Sequence, residues 1–448
     1  MSFQMKLIIL IIVLAMIALR VNVAPAADFY AARNGQTPSA PYASWVSAAS
    51  NIQDAVNQAG INDTVWVGAG RYTVPPDATN YYGSLNVAYI NKPLTVRSSN
   101  GVPSETIIDG DGTNRGVFMY YAATTTNRFV VEGFIITNCY ALTNGGGVLV
   151  MPVAAAWTGI IQRCLITDNK ATNGAGIYCR PTSKNAAFTL IVSNSVIANN
   201  RVTINGYGAG IFVYNVGSLR VVDSTLDKNL STNAAAGIYD YNSTLKVENC
   251  IIRNNRVDGV GIPSNQTGGG GIRLDTAIAT LYNTLMYNNY SYNEGGAIRI
   301  QNNNPNLSLY NCTIAGNSGA THGAVSISSA VGMNFRVVNS VIYSNYNDLN
   351  LVAAAITDPA LLSFTNSCVT NYALAGSGNI TNAPGFEDIG GENFRPAANS
   401  PCINRGLNQD WMAGAHDLDN LSRVDRFSGM VDIGCYEYMP RGIMFKVR

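Results

Sequence analysis

Arg273, Asp275, Glu294 and Arg299 are the one group of charged side chains in the middle of this chain whose types could act on a polymer. β-Elimination from an acidic polysaccharide takes an Arg or Lys as base, beside carboxylates that hold calcium. Hydrolysis takes two carboxylates at a set separation, one as acid and one as base or nucleophile. No two aspartates are adjacent in this region. Of the 2 histidines, His322 falls in a glycine-rich bend and His416 near the C-terminus, neither with an evident partner.

A second set of residues suggests binding rather than cleavage. Glycine-rich bends precede Ile177, Ile211, Ile238, Ile272 and Ile298, which alternation turns inward. The next residue in each copy then faces outward, giving the column Tyr178, Phe212, Tyr239, Arg273 and Arg299. Two residues further on lies a second outward column, Arg180, Tyr214, Tyr241, Asp275 and Gln301. Aromatic rings stack on sugar faces, and Arg pairs with carboxylates or sulfates. The alternative is a ladder of like residues that steadies stacked strands, and with 24 tyrosines some alignment arises by chance.

The elements that must position these columns repeat. Nine segments share a template, at spacings of 26 to 34 residues. One register reads Phe134, Cys164, Ser195, Ser224, Cys250, Thr284, Cys312, Ser340 and Ser367. Five residues after it, successive copies carry Asn169, Asn200, Asn229, Asn255, Asn289, Asn317 and Asn345. Within a copy, apolar and polar residues alternate, as in Leu245 and Val247 against Lys246 and Glu248, which is strand patterning. A fixed period with no helical segment between copies argues for an all-β, right-handed parallel β-helix of about 28 residues per coil. The asparagines should form an inward ladder at one bend, where Asn also tolerates a left-handed backbone. The glycines suit a second, tight bend. No helix follows them, so they are not a phosphate loop.

The two ends differ from the middle. Lys6 precedes an apolar run from Leu7 to Leu19, and Ala24 and Ala26 offer a small-residue cleavage site. That pattern predicts a signal peptide over 1–26, the run being short of the ~20 residues a membrane span needs. Asn51 before Ile52 to Ala59, with Gly60 after, predicts a short capping helix over the open end of the solenoid. The solenoid with its cap is expected over 27–385 and a closing domain over 386–448. Charge is balanced, 28 basic against 27 acidic residues, so nothing points to nucleic acid. Of 8 cysteines, those in the coil register read as buried small residues, whereas Cys402 and Cys435 are expected to form a disulfide. No Cys–His pattern suggests zinc. Asp417 and Asp419, near Asp425 and Asp432, are the candidate calcium ligands, the alternative being neutralisation by Arg423 and Arg426. Otherwise no cofactor is expected.

Three stretches carry family resemblances. Ile52 to Tyr72 resembles the entry segment of secreted right-handed β-helix proteins related to pectate lyases and pectin esterases. Asn311 to Asn317, with Gly295 to Ile298, is similar to the repeats of chlamydial polymorphic outer-membrane proteins. Asn399 to Ile403, Asp417 to Arg423 and Val431 to Tyr438 resemble the choice-of-anchor Q domain, which ends many bacterial surface β-helix proteins just before a variable sorting signal. The stretch Met439 to Arg448 shows neither a hydrophobic tail nor a wall-sorting motif, so secretion is expected at least as much as surface anchoring. Together these readings predict a secreted or cell-surface scaffold that binds polysaccharide or a neighbouring surface, with no membrane span after signal cleavage. The alternatives are a polysaccharide lyase or glycoside hydrolase on an acidic glycan, and an adhesin for protein partners. Oligomeric state is left open.

Overall fold

A computed structural model describes residues 25–121, 128–153, 157–182, 185–203, 205–263, 267–301, 306–327, 334–346, 349–351, 362–369 and 376–440. All but the last two residues of the expected signal peptide lie outside them.

Alternating apolar residues become short strands stacked in parallel, coil upon coil. One sheet of 12 strands runs from Asp28–Ala31 to Leu362–Thr365, and one of 11 from Gly70–Tyr72 to Cys368–Val369. A third, of 10 strands, runs from Asn86–Ile90 to Leu349–Leu351, and a fourth, of 7, from Tyr140–Asn144 to Ser318–Gly319. Equivalent residues of successive copies pair directly, as in Ile238 with Ile272 and Leu245 with Ala279, so the sequence repeat is the strand register. The inward residues form one continuous core along the axis.

The asparagine register is the ladder the spacing predicts. Asn169 Nδ2 donates to Asn200 Oδ1 at 2.9 Å, and the same bond recurs from Asn200 to Asn229 at 3.0 Å, Asn229 to Asn255 at 2.9 Å and Asn255 to Asn289 at 3.0 Å. It continues from Asn289 to Asn317 at 2.9 Å and Asn317 to Asn345 at 2.8 Å. The left-handed backbone sits one residue earlier than expected, at Asn138, Asp168, Asn199, Lys228, Asn254 and Asn288. The bend residue takes the strained conformation, and that turn aims the following residue inward, Cys139 after Asn138 and an asparagine after each of the others.

Helix Ile52–Gln58 caps the N-terminal end. Asn51 accepts the Asp54 N–H at 2.8 Å, and Ile52, Ala55 and Val56 join the main core. The helix stops at Ala59, which turns extended one residue before Gly60.

The C-terminal segment folds back along the flank of the solenoid. Its antiparallel pair, Phe386–Asp388 and Asn393–Pro396, leads into an irregular stretch against the outer face of the 11-stranded sheet. There Phe394, Cys435 and Tyr436 bury Leu285, Tyr287 and Ala315. Asn311 Nδ2 donates to the Asp432 carbonyl at 3.0 Å, and Gly434 N–H to the Asn339 carbonyl at 2.8 Å.

This arrangement overturns the expected Cys402–Cys435 disulfide. All eight cysteines are free and buried. Cys435 lies in the cluster just described, whereas Cys402 shares a separate one with Val341, Cys368 and Ile433. Ile433 N–H donates to the Cys402 carbonyl at 3.0 Å, but Cys435, two residues on, turns to Thr313, to which its N–H donates at 3.1 Å. Folding in the presence of oxidised glutathione should therefore join Cys368 to Cys402, releasing two reduced glutathiones, and leave Cys435 a thiol. Mass spectrometry of unreduced peptides checks this, and a Cys402–Cys435 link would contradict it.

Candidate functional site

The two columns after the glycine bends lie outside the core, on the outer face of the 10-stranded sheet. Tyr178 pairs with Phe212, Phe212 with Tyr239, Tyr239 with Arg273 and Arg273 with Arg299. The expectation that both columns are exposed is corrected for the first. Tyr178, Phe212, Tyr239, Arg273 and Arg299 are only 5%, 7%, 6%, 4% and 1% accessible. The bend that precedes each strand folds over the column. A Cβ on Gly208 would sit 2.6 Å from the Phe212 Cβ, and one on Gly269 would sit 2.8 Å from the Arg273 Cβ. Both glycines hold a left-handed φ. Only residues without a side chain let the backbone lie that close. The glycine register therefore already carried the signal that this column would be covered.

The second column stays open at its aromatic end. The rings of Tyr214 and Tyr241 stack with centroids 4.6 Å apart and planes 9° apart. Behind them Phe212 and Tyr239 stack at 4.6 Å and 13°. The exposed Arg180 guanidinium lies 4.8 Å from the Tyr214 ring centroid. Tyr207, which the sequence reading missed, reaches in from the loop before the bend and packs on Phe212 and Tyr239. The five aromatic residues Tyr207, Phe212, Tyr214, Tyr239 and Tyr241, with Arg273 and Gln301, line a groove of about 300 Å³.

The four charged candidates meet as two adjacent ion pairs. Arg273 holds Asp275 with Nε to Oδ1 at 3.1 Å and Nη2 to Oδ2 at 3.1 Å, and its Nη2 also donates to Gln301 Oε1 at 2.5 Å. Tyr239 donates its hydroxyl to Asp275 Oδ2 at 2.6 Å. Arg299 Nη1 pairs with Glu294 Oε2 at 2.5 Å, and the same oxygen accepts the Ser326 hydroxyl at 2.8 Å. Burial alone would lower the Arg273 pKa, but Asp275 reverses this and holds it above its ordinary value. For Arg299 burial wins over Glu294, and its pKa falls. His322 bridges in strand fashion to Glu294, and burial lowers its pKa too. Inward of this face sits Asp240, a carboxyl in a core column between Val213 and Leu274. It accepts the Ser243 hydroxyl, and burial pushes its pKa up to about 7. Strict alternation from Ile238 would have revealed it.

The carboxylates of the calcium candidates are bonded within the C-terminal segment itself. Asp417 Oδ1 accepts the N–H groups of Asp419 and Leu421 at 2.9 and 2.8 Å, and its Oδ2 accepts that of Glu437 at 2.7 Å. Asp419 is held by Arg395 at 2.5 Å. Asp425 serves a turn, accepting from Phe427 and Ser428, and Asp432 sits beside Arg423. Among the described residues no three His, Cys, Asp or Glu side chains are grouped to hold a metal. No helix among them is long and apolar enough to cross a membrane.

The family model for the right-handed β-helix region matches residues 116–273 and 210–383. Among solved structures, the crystal structure of pectate lyase Pel9A superposes with a TM-score of 0.58 at 15% identity, covering 93% of this chain and 97% of that one. A rhamnogalacturonan lyase aligns over 87% of this chain and 98% of its own, at 12% identity, but its TM-score of 0.34 carries no argument. At such identity the likeness to Pel9A is one of fold. No curated protein matches the sequence.

Proposed function

The chain belongs to the right-handed β-helix family, and from that premise we propose that it is a polysaccharide-binding scaffold whose groove lies on the outer face of the 10-stranded sheet. The observation that carries this reading is the Tyr214–Tyr241 stack. Two half-buried rings, parallel and 4.6 Å apart, are held from behind by a second stacked pair. They form a rigid apolar platform at little ordering cost, the kind of surface on which a pyranose ring packs. Arg180 at its edge supplies a cation for a uronate or sulfate, and Gln301 a neutral hydrogen-bonding group for sugar hydroxyls. The neighbour in fold is named as a pectate lyase, which agrees with a carbohydrate partner.

Binding is favoured over cleavage by how the charged residues are spent. Arg273 is locked to Asp275 and Gln301, with its pKa raised, so it holds its proton. The second pair is no freer, since Arg299 is buried and bonded to Glu294. The apolar run from Leu7 and the C-terminal resemblance to an anchor domain support a secreted or surface location.

The test is co-sedimentation with insoluble neutral and acidic polysaccharides. The Tyr214→Ala/Tyr241→Ala double variant should lose binding at least about tenfold while keeping its fold, because neither ring belongs to the main core. Arg180→Ala should weaken binding to acidic polymers alone, and added salt should do the same. Full retention by the double variant would reject the groove. Unsaturated products released from a uronate polymer, and lost in Arg299→Gln, would replace binding with lysis.

A further inference from the structure

We propose a second saccharide-binding site at the N-terminal end of the solenoid, on the outer face of the 12-stranded sheet. An open groove of about 650 Å³, larger than the tyrosine groove, is lined by Tyr30, Trp45 and Trp66 with Asp28, Arg33 and Ser99. Two of the 4 tryptophans of the chain stand here. Trp45 is 42% accessible, an unusual cost for so large a ring unless something covers it.

The rings are fixed in place rather than left loose. The Trp66 indole donates to Asp28 Oδ1 at 2.9 Å, and the Arg97 guanidinium lies 4.6 Å from its ring centroid. Strand register stacks Tyr30, Trp66 and Arg97 on one line. Trp45 meets Tyr30 edge-on, centroids 4.8 Å apart, and rests on the backbone of Gly68, where a Cβ would lie 3.3 Å from its Cζ3. Oriented aromatic rings, bordered by a carboxylate, a guanidinium and a hydroxyl, match a sugar. The apolar ring face takes the indole and its edge hydroxyls take the polar rim. Asp28 and Arg33 bring opposite charges to the same groove, so it suits a neutral saccharide better than a uronate. The tyrosine groove belongs to another sheet and lies about five strand spacings, or ~24 Å, further along the axis. The two sites would therefore grip separate stretches of polymer and gain avidity.

Intrinsic tryptophan fluorescence, titrated with cellohexaose, xylohexaose, mannohexaose and hexagalacturonate, tests this. At least one neutral hexasaccharide should shift the emission. Trp45→Ala should weaken that binding about tenfold or more, and Trp45→Phe by less, since a ring remains. Ala69→Arg, an exposed position that fills the groove, should also block it. The Tyr214→Ala/Tyr241→Ala variant should leave the shift intact, which separates this site from the first. No shift with any of the four sugars, or a shift that survives both Trp45→Ala and Ala69→Arg, would overturn the proposal.

Discussion

Replacing Asn255 with alanine should cost the solenoid ~1–3 kcal/mol, more than any single outward-facing substitution. Asn255 has no accessible surface, and its side chain makes four hydrogen bonds in the middle of the ladder. Its Oδ1 accepts from Asn229 N at 3.1 Å and Asn229 Nδ2 at 2.9 Å. Its Nδ2 donates to the Leu226 carbonyl and to Asn289 Oδ1, both at 3.0 Å. Alanine leaves the buried Asn229 N–H without its partner and takes one bond from the Leu226 carbonyl, while Asn289 Oδ1 keeps the backbone N–H of residue 255 and Asn229 Nδ2 keeps the Ile197 carbonyl. The loss also falls on two neighbouring coils at once, because each coil is held by its neighbours alone. Equilibrium unfolding in urea should show a markedly lower midpoint for Asn255→Ala. A midpoint equal to that of the wild type would show that the ladder contributes nothing.

The second large effect is a loss of stability as pH rises, traced to Glu437. Its carboxyl is buried against Arg423 Nη2 at 2.9 Å, with Asp432 and Asp417 close by. Burial pushes its pKa from 4.5 up to about 9, against the pull of Arg423. Burial likewise raises the pKa of Asp417 and Asp432. One buried guanidinium thus faces three carboxyls, and they cannot all ionise cheaply. A folded-state pKa above the unfolded value means the folded chain binds the extra proton. That contribution is complete below pH 4.5 and is lost as pH climbs to about 9. It amounts to roughly 3–6 kcal/mol across the window. Glu437→Gln keeps the shape without the titration, so its stability should change far less between pH 5 and 9. Urea midpoints that fall in parallel for the two proteins would refute this account.

The repeat made most of the fold legible, and particular residues show where legibility stopped. Asn169 to Asn345 recur at one register because stacked coils impose the same bond on each copy, and local sequence reports that directly. Arg273 and Asp275 were legible as neighbours, since alternation places both on one face, whereas Glu294 reaches Arg299 from the bend before its strand. Exposure was misread because it depends on what crosses above a strand. Gly208 and Gly269 lie over Phe212 and Arg273, and a period-two pattern says nothing of that third layer. Cys402 was assigned to Cys435 on closeness in one segment, but an irregular segment takes its neighbours from the coils it crosses, here Cys368. The tryptophan groove went unseen because Tyr30, Trp45 and Trp66 come from an irregular loop and two strands outside the repeat.

The central claim, that the tyrosine stack binds glycan, is tested most directly by calorimetric titration. The polysaccharide that best co-sediments with the wild type would be titrated into the wild type and into Tyr214→Ala/Tyr241→Ala. The account predicts a saturable heat for the wild type and at least about tenfold weaker binding for the double variant, with unchanged unfolding midpoints. Equal affinity for the two proteins would contradict it.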